Sequence, residues 1–167
     1  MNFFKVKTAT LLVFLFGALN SISVFATDTA HGDHGDGHAK KHFFGAFIGA
    51  FDGEETDLAL GIEYEFKFNS HWGIGALYED VKDAHHGDGI SSTIGSLYFH
   101  PKGAWRLGLG FGKEKVGGDH AHTENLVRVG VSYNFHVGEF GIEPSLNFDR
   151  VDGEISKVYG VALVWSF

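Results

Sequence analysis

The last ten residues of the chain, from Val158 to Phe167, constrain its fold more than any other segment. If the segment is a β-strand, successive side chains point to opposite sides and alternate residues share a face. The two-residue period of apolar and small residues is typical of a strand, and an amphipathic helix would show a period of 3.6 residues. We therefore predict a strand with one continuous large apolar face, made of Tyr159, Val161, Leu163, Trp165 and Phe167.

Seven further segments with strand character precede this one. In the second, the even positions from Leu58 to Phe68 are apolar, whereas the odd positions are small or charged. Short turns alternate with longer connections, as in up-and-down membrane barrels. The sequence therefore predicts an all-β fold over residues 43–167, an eight-stranded antiparallel up-and-down transmembrane β-barrel. The predicted strands are approximately 43–51, 58–68, 72–81, 93–100, 104–113, 125–137, 140–151 and 158–167.

Alternation by itself does not say which face of each strand points inward. A water-soluble barrel would bury the apolar face, whereas a membrane barrel exposes it to lipid. The aromatic residues favour the membrane arrangement, because many of them would form a girdle near one rim. The first strand, Phe43 to Phe51, is apolar on both faces, and the pattern does not orient it. The girdle residues are Trp72, Trp105, Tyr133, Phe135, Trp165 and Phe167.

The chain resembles the small eight-stranded outer-membrane barrels of the OmpA/OmpX type. The terminal Phe167 on an alternating strand carries the resemblance, because it looks like the signal that the outer-membrane assembly machinery recognises. The resemblance implies a location in the outer membrane of a Gram-negative bacterium, with both termini in the periplasm. It also implies contact with outer-membrane lipids including lipopolysaccharide, and a structural or surface-interaction role.

The N-terminal segment is typical of a secretory signal peptide. Lys5 and Lys7 precede an apolar run, and the end of the segment suits cleavage after Ala26. We predict a cleaved signal peptide over residues 1–26 and a flexible periplasmic tail, rich in His, Gly and Asp, over residues 27–42. Loss of the two lysines from a chain of formal charge −8 leaves −10, so nucleic acid is not an expected partner. The absence of cysteine excludes disulfides and thiolate metal sites.

The small and charged faces of the predicted strands would line the lumen. Buried charges need partners of opposite sign, so we expect each lumen arginine to pair with carboxylates at a similar depth. Such pairs would fill an eight-stranded barrel, whose interior holds little beyond side chains. The alternative is a narrow ion or solute channel, which would require the pairs to rearrange. The predicted lumen charge network is Glu63, Glu65, Lys67, Glu79, Arg106, Arg128, Glu143 and Asp149. The expected pairs are Arg128 with Glu63, Glu79 or Asp149, and Arg106 or Lys67 with Glu143.

Histidine is unusually frequent, with eleven residues in the chain. Imidazoles beside carboxylates are suitable ligands for Zn²⁺, Cu²⁺ or Ni²⁺, although the fold requires no cofactor. The alternative is that these are solvated polar residues in flexible segments. The candidate ligands are His31, His34, His38 and His42 in the tail, and His85, His86, Asp88, Asp119, His120 and His122 in the two longest predicted outer loops.

Catalysis is not expected from this sequence. A lipid A-modifying hydrolase of the outer membrane would need Ser, His and an acid together near the lipid face. The alternation places His100 and His136 inside the barrel, and the chain contains no Gly-x-Ser-x-Gly motif. We therefore expect a non-enzymatic barrel, with a channel or a lipid A-modifying enzyme as the alternatives.

Overall fold

The computed structural model describes residues 40–53, 55–84, 87–119 and 121–167, and they form a β-sheet structure. No helix within these ranges is long and apolar enough to cross a membrane. The strand segments are β1 His42–Asp52, β2 Thr56–Lys67, β3 Trp72–Val81, β4 Ile90–Phe99, β5 Trp105–Val116, β6 His122–Tyr133, β7 Phe135–Val137, β8 Phe140–Val151 and β9 Glu154–Ser166.

The strands form a closed antiparallel meander. Each strand from β1 to β5 pairs with the next, β8 pairs with β9, and β9 pairs with β1. The cylinder closes because β6 pairs with both β5 and β8. Segments β6 and β7 are two parts of one barrel strand, so the nine segments make eight barrel strands. The predicted eight-stranded up-and-down barrel is confirmed.

Proline accounts for the interruption between β6 and β7. The register of this strand against β8 is the same on both sides of the break, from Ser132 opposite Ser145 to Phe135 opposite Ile142. Pro144 lies between these pairs and has no backbone N–H to donate to the neighbouring strand. The ladder is therefore lost at Tyr133 and Asn134, and it resumes beyond them.

The outer surface of the cylinder is apolar and its interior is charged. Ile62 and Phe111 are 51% and 61% exposed on the outside, whereas Glu79 and Asp149 are 2% and 1% exposed inside. A water-soluble barrel would show the opposite arrangement. The outward side chains thus form the apolar band of a membrane-spanning barrel.

The structure also orients β1, which the sequence pattern did not. Phe47 and Phe51 are buried in the lumen, whereas Phe44 and Ile48 lie on the outer surface. A Cβ atom at the neighbouring Gly160 would meet the Phe47 ring at 2.8 Å, so this glycine leaves room for the ring. The inward position of Phe47 therefore depends on a glycine of the adjoining strand β9.

Several strands extend further than predicted at the end of the barrel opposite the chain termini. Segments β4, β6 and β9 begin three to four residues before the predicted starts at positions 93, 125 and 158. The connection from β8 to β9 is only Asp152-Gly153, with φ values of 46° and 92° that match a type I′ hairpin turn. The predicted start of the last strand at 158 is therefore wrong, because strand pairing continues to Val151 and Glu154.

Candidate functional site

The barrel has two ends that we name by their contents. The terminal end holds His42 and Phe167, whose backbone groups hydrogen-bond to each other. The distal end holds the connections 82–89, 117–121 and 152–153. Polar side chains in the lumen form one cluster toward each end, and a wide basin opens at the distal end.

Arg106 on β5 is the centre of the cluster nearer the terminal end. Its guanidinium lies 3.0 Å from Glu63 Oε1, 2.5 Å from Glu143 Oε1 and 3.4 Å from Glu65 Oε2. Its Cζ atom also lies 4.6 Å from the ring centroid of Tyr98. One guanidinium on β5 thus holds three carboxylates, two from β2 and one from β8, against one another.

Three other side chains also contact the carboxylates of this cluster. His100 Nε2 lies 2.7 Å from Glu65 Oε1. Ser132 Oγ donates to Glu143 Oε1 at 2.6 Å, and Asn134 Nδ2 donates to Glu143 Oε2 at 3.1 Å. These contacts complete the hydrogen bonding that a buried carboxylate requires.

Lys67 faces inward on β2 but does not join the ion pairs of this cluster. Its ammonium lies 4.2 Å from the ring centroid of Phe43, and it forms no ion pair within 4 Å in the part of the chain that the structure describes. Of the two cations predicted as alternatives for Glu143, Arg106 pairs with it and Lys67 does not.

Arg128 on β6 is the centre of the second cluster. Its Nε and Nη2 atoms donate to the two oxygens of Asp149 at 2.6 and 2.5 Å, which is a bidentate pair. Its Nη1 and Nη2 atoms donate to Glu79 at 3.2 and 2.9 Å. Of the three carboxylates expected for Arg128, Glu79 and Asp149 contact it, whereas Glu63 contacts Arg106 instead.

Little free space remains between the two clusters. The cavity there has a volume of about 50 Å³ and is lined by side chains such as Phe47, Leu77 and Tyr98. A buried water needs roughly 10–15 Å³ of such space, so the cavity has room for only a few waters. The lumen is filled at two levels by ion pairs.

The distal basin, which we define by its lining residues, is much wider, with a volume of about 610 Å³. Its charged lining is acidic, and no Lys or Arg is present among the described lining residues. The carboxylates are Glu55, Asp57, Glu114, Glu124, Asp152 and Glu154. The remaining lining includes His122 and the apolar residues Phe51, Ala84, Val116, Val151 and Ile155.

Charges at the distal end are sorted between the two faces of the barrel wall. On β5 the outward positions are apolar up to Phe111, and the next outward residues are the exposed Lys113 and Lys115. Glu114, between these lysines, faces inward and is 6% exposed. It therefore lies beyond the apolar band, at the floor of the basin.

Glu114 has an unusual protonation equilibrium. Burial raises the pKa of its carboxyl to about 7, and the nearby Asp149 and Glu124 carboxylates add to the increase. Arg128 opposes the increase, but its guanidinium is already engaged by two carboxylates. Glu114 is thus a carboxyl group that titrates near neutral pH.

The structure covers the predicted metal ligands only in part. His31, His34, His38, His85, His86 and His120 lie outside the described residues, so their role stays a prediction. Asp88 packs against the backbone of Gly118, which brings the 82–89 connection beside Asp119. In the described ranges, no group of three or more His, Cys, Asp or Glu side chains could hold a metal ion.

Two other histidines with assigned positions are described. His42 is the first residue of β1, whereas the sequence placed it in the tail. Its Nδ1 lies 2.7 Å from the Tyr64 hydroxyl, and its ring stacks on Phe167 at 5.5 Å. His136 on β7 lines a cavity at the terminal rim with Asn134 and Val164, on the inward side as predicted, and it is exposed there.

Sequence reasoning missed Glu114 and Glu124, because it ended the fifth strand at 113 and began the sixth at 125. The Lys113-Glu114-Lys115 sequence carried the necessary signal. Its two-residue charge alternation continues the β5 pattern, in which Arg106 and the glycines at 108, 110 and 112 face inward. Extending that alternation would have placed Glu114 in the lumen.

Comparisons with known proteins identify the fold. No protein-family model matches the sequence, and no curated relative matches it. Among the solved structures that are similar to most of the chain are three outer-membrane β-barrels. The Yersinia pestis outer-membrane protein Ail, in a phospholipid bilayer nanodisc, is 13% identical, with 77% of this chain and 99% of that chain covered and a TM-score of 0.54. Neisserial surface protein A is 12% identical, with coverages of 75% and 96% and a TM-score of 0.56.

The third structure is the N-terminal β-barrel domain of Pseudomonas aeruginosa OprF. It is 15% identical, with 77% of this chain and 98% of that chain covered and a TM-score of 0.52. At these identities the likeness concerns the fold alone. It confirms the resemblance to small eight-stranded outer-membrane barrels.

Proposed function

We propose that this barrel is an integral protein of the Gram-negative outer membrane, with a structural or surface-interaction role and no catalytic activity. Its distal end would face the outside and its terminal end the periplasm. The observation that carries the proposal is the combination of an apolar outer surface with a lumen that ion pairs fill. Such a barrel is stable in lipid and presents its distal connections to the surroundings.

The filled lumen favours this role over that of a channel. Arg106 and Arg128 each bridge carboxylates from different strands, and only about 50 Å³ of space lies between them. An ion would have to break one of these clusters to pass, and broken buried pairs are costly. We therefore expect no steady conductance.

The outward basic residues at the distal end support contact with lipopolysaccharide. Lys113, Lys115 and Arg150 are exposed and face outward beside the apolar band. Anionic phosphate groups of the outer leaflet would meet them at this height. At the other end, Phe167 is 59% exposed, which supports its recognition by the assembly machinery.

Cysteine labelling tests the location and orientation, because the chain has no native cysteine. Asp83→Cys lies in a distal connection, and Glu139→Cys lies in the turn between β7 and β8 at the terminal end. A membrane-impermeant maleimide should label the first variant on intact cells and the second only after permeabilisation. The reverse pattern, or recovery of the protein in a soluble fraction, would exclude the proposal.

Planar bilayer recording tests the role. The refolded protein should give no conductance steps, whether the bilayer contains lipopolysaccharide or not. Regular, reproducible steps would favour the channel alternative over a structural role.

Divalent metal binding by the distal connections is a second proposal. The contact of Asp88 with Gly118 supports it, because this contact brings together Asp88 and the residue that precedes Asp119, two of the predicted ligands. Calorimetry on the refolded barrel should show stoichiometric Zn²⁺ binding that is lost when His85, His86, His120 and His122 are changed to Ala. Undiminished binding in that variant would reject the assignment.

A further inference from the structure

The distal basin concentrates negative charge at a cost to stability. Glu114 and Glu124 are direct neighbours in the pairing of β5 with β6, and like charges in such positions repel each other. Asp57, Asp152 and Glu154 add carboxylates from β2 and from the β8–β9 hairpin. The described lining holds no Lys or Arg to balance them, and its histidine, His122, contacts one of these carboxylates, with Nε2 3.6 Å from Glu124 Oε1. A cationic ligand would remove this repulsion.

The environment of Glu114 is a second observation that points to a ligand. It is almost completely buried, it lines the floor of the basin, and no hydrogen bond or ion pair forms to it in the described structure. The buried Glu79, Glu143 and Asp149 all have protein donors, whereas the carboxylate of Glu114 has none in the described structure and reaches the open basin. A donor that enters the basin from solution would complete its hydrogen bonding.

The shape and lining of the basin indicate what kind of cation fits. No three described carboxylates or imidazoles converge closely enough to hold a single metal ion. The carboxylates are instead distributed around about 610 Å³, with apolar side chains such as Phe51, Val116 and Ile155 between them. Separated anionic groups joined by apolar surface match separated ammonium groups joined by methylene segments.

We propose that the distal basin binds a linear aliphatic polyamine. One ammonium group binds Glu114 and Glu124 at the floor, and another binds carboxylates of the opposite wall such as Glu154. The methylene segments pack on the apolar lining and remove it from water. Binding thereby supplies the missing partner of Glu114 and relieves the repulsion between the neighbouring strands.

Calorimetric titration of the refolded full-length protein with spermidine tests the proposal. At pH 8 and constant ionic strength, one spermidine should bind per barrel. Glu114→Gln and Glu124→Gln should each weaken binding at least about tenfold, because each removes a charge-assisted hydrogen bond. Asp80→Asn is the matched control: it removes the same charge at the distal end of β3 but on the outward face, and it should leave the affinity unchanged.

Two further measurements separate loss of binding from loss of folding, and binding of the methylene segments from binding of charge alone. Heat-dependent mobility in electrophoresis checks that every variant is folded, and a glutamine at position 114 keeps the shape of the carboxyl side chain. Hexaamminecobalt(III) has the charge of spermidine without its methylene segments, so it should bind more weakly. Equal binding of the two trications, displacement of spermidine by an equimolar amount of Mg²⁺, or equal affinity in the glutamine and control variants would each overturn the proposal.

Discussion

Replacement of Arg128 by Met should strongly destabilise the barrel. Arg128 donates four hydrogen bonds to two carboxylates that are almost completely buried, Glu79 and Asp149. Methionine fills part of the same volume but donates nothing. The variant therefore leaves two acidic groups without their cation in the wall of the lumen.

The expected loss is about 4 kcal/mol, from the range of about 3–5 kcal/mol for breaking a buried ion pair. Adding four charge-assisted hydrogen bonds at about 1.5–3 kcal/mol each would overestimate the loss. A carboxyl group that loses its partner takes up a proton, and the adjoining cavity of about 50 Å³ admits water to the gap. For an m-value of about 2 kcal/mol per molar urea, the unfolding midpoint should fall by about 2 M.

Urea unfolding of the protein refolded in lipid vesicles provides the assay, with tryptophan fluorescence as the signal. Arg150→Met is the matched control, because Arg150 is exposed on the outer face of β8, and it should change stability by less than about 0.5 kcal/mol. A variant that combines Arg128→Met with Glu79→Gln and Asp149→Asn should regain at least half of the loss. A single-variant cost below about 1 kcal/mol, or a triple variant as unstable as the single one, would refute the reasoning.

Three further predictions concern the lumen and the basin. Ionisation of Glu114 should lower stability as pH rises from about 4.5 to about 7, because its pKa is higher in the folded than in the unfolded chain. Glu114→Gln should therefore flatten the pH dependence of the urea midpoint and exceed wild type in stability at pH 8, and an unchanged profile would contradict this assignment. Gly75→Ala should lower the free energy of unfolding by about 1–3 kcal/mol, because its Cβ would overlap the Tyr64 carbonyl oxygen and the Tyr98 ring. Gly95→Ala is the control: the nearest atom to its Cβ lies 3.9 Å away, so it should be nearly neutral in the same assay. Phe47→Ala should cost about 3–5 kcal/mol through the cavity it leaves in the lumen, and a smaller loss than that of Gly95→Ala would disprove its role in filling the barrel.

The architecture was predictable because, in most segments, apolar and charged residues alternate with the two-residue period of a strand, so each face has one character. In β2 the even residues are apolar and face outward, while Glu63 and Glu65 face the lumen as predicted. β1 was different, because Phe47 and Ile48 are both apolar and only the neighbouring strands decide which one lies inside. The space beside Gly160 makes that decision, and it is a property of the assembled sheet.

The candidate site was predictable in composition and less so in detail. Mixed charges at inward positions indicated ion pairs, but depth in a tilted cylinder decides which carboxylate reaches which arginine. For this reason Glu63 meets Arg106 and not Arg128. The distal basin was missed because charged residues at strand ends were interpreted as loops, although the Asp152-Gly153 turn signal already allowed a tight hairpin.

The charge alternation on β5 has a consequence for strand register. Between Phe111 and the distal end of this strand, no apolar side chain faces outward to distinguish the outer face from the inner face. A slip by one residue would turn Lys113 and Lys115 toward the interior and push Glu114 out toward anionic lipid phosphates. Both changes are unfavourable. These three ionic residues therefore fix the register of β5 beyond the apolar band, where contact with acyl chains does not fix it.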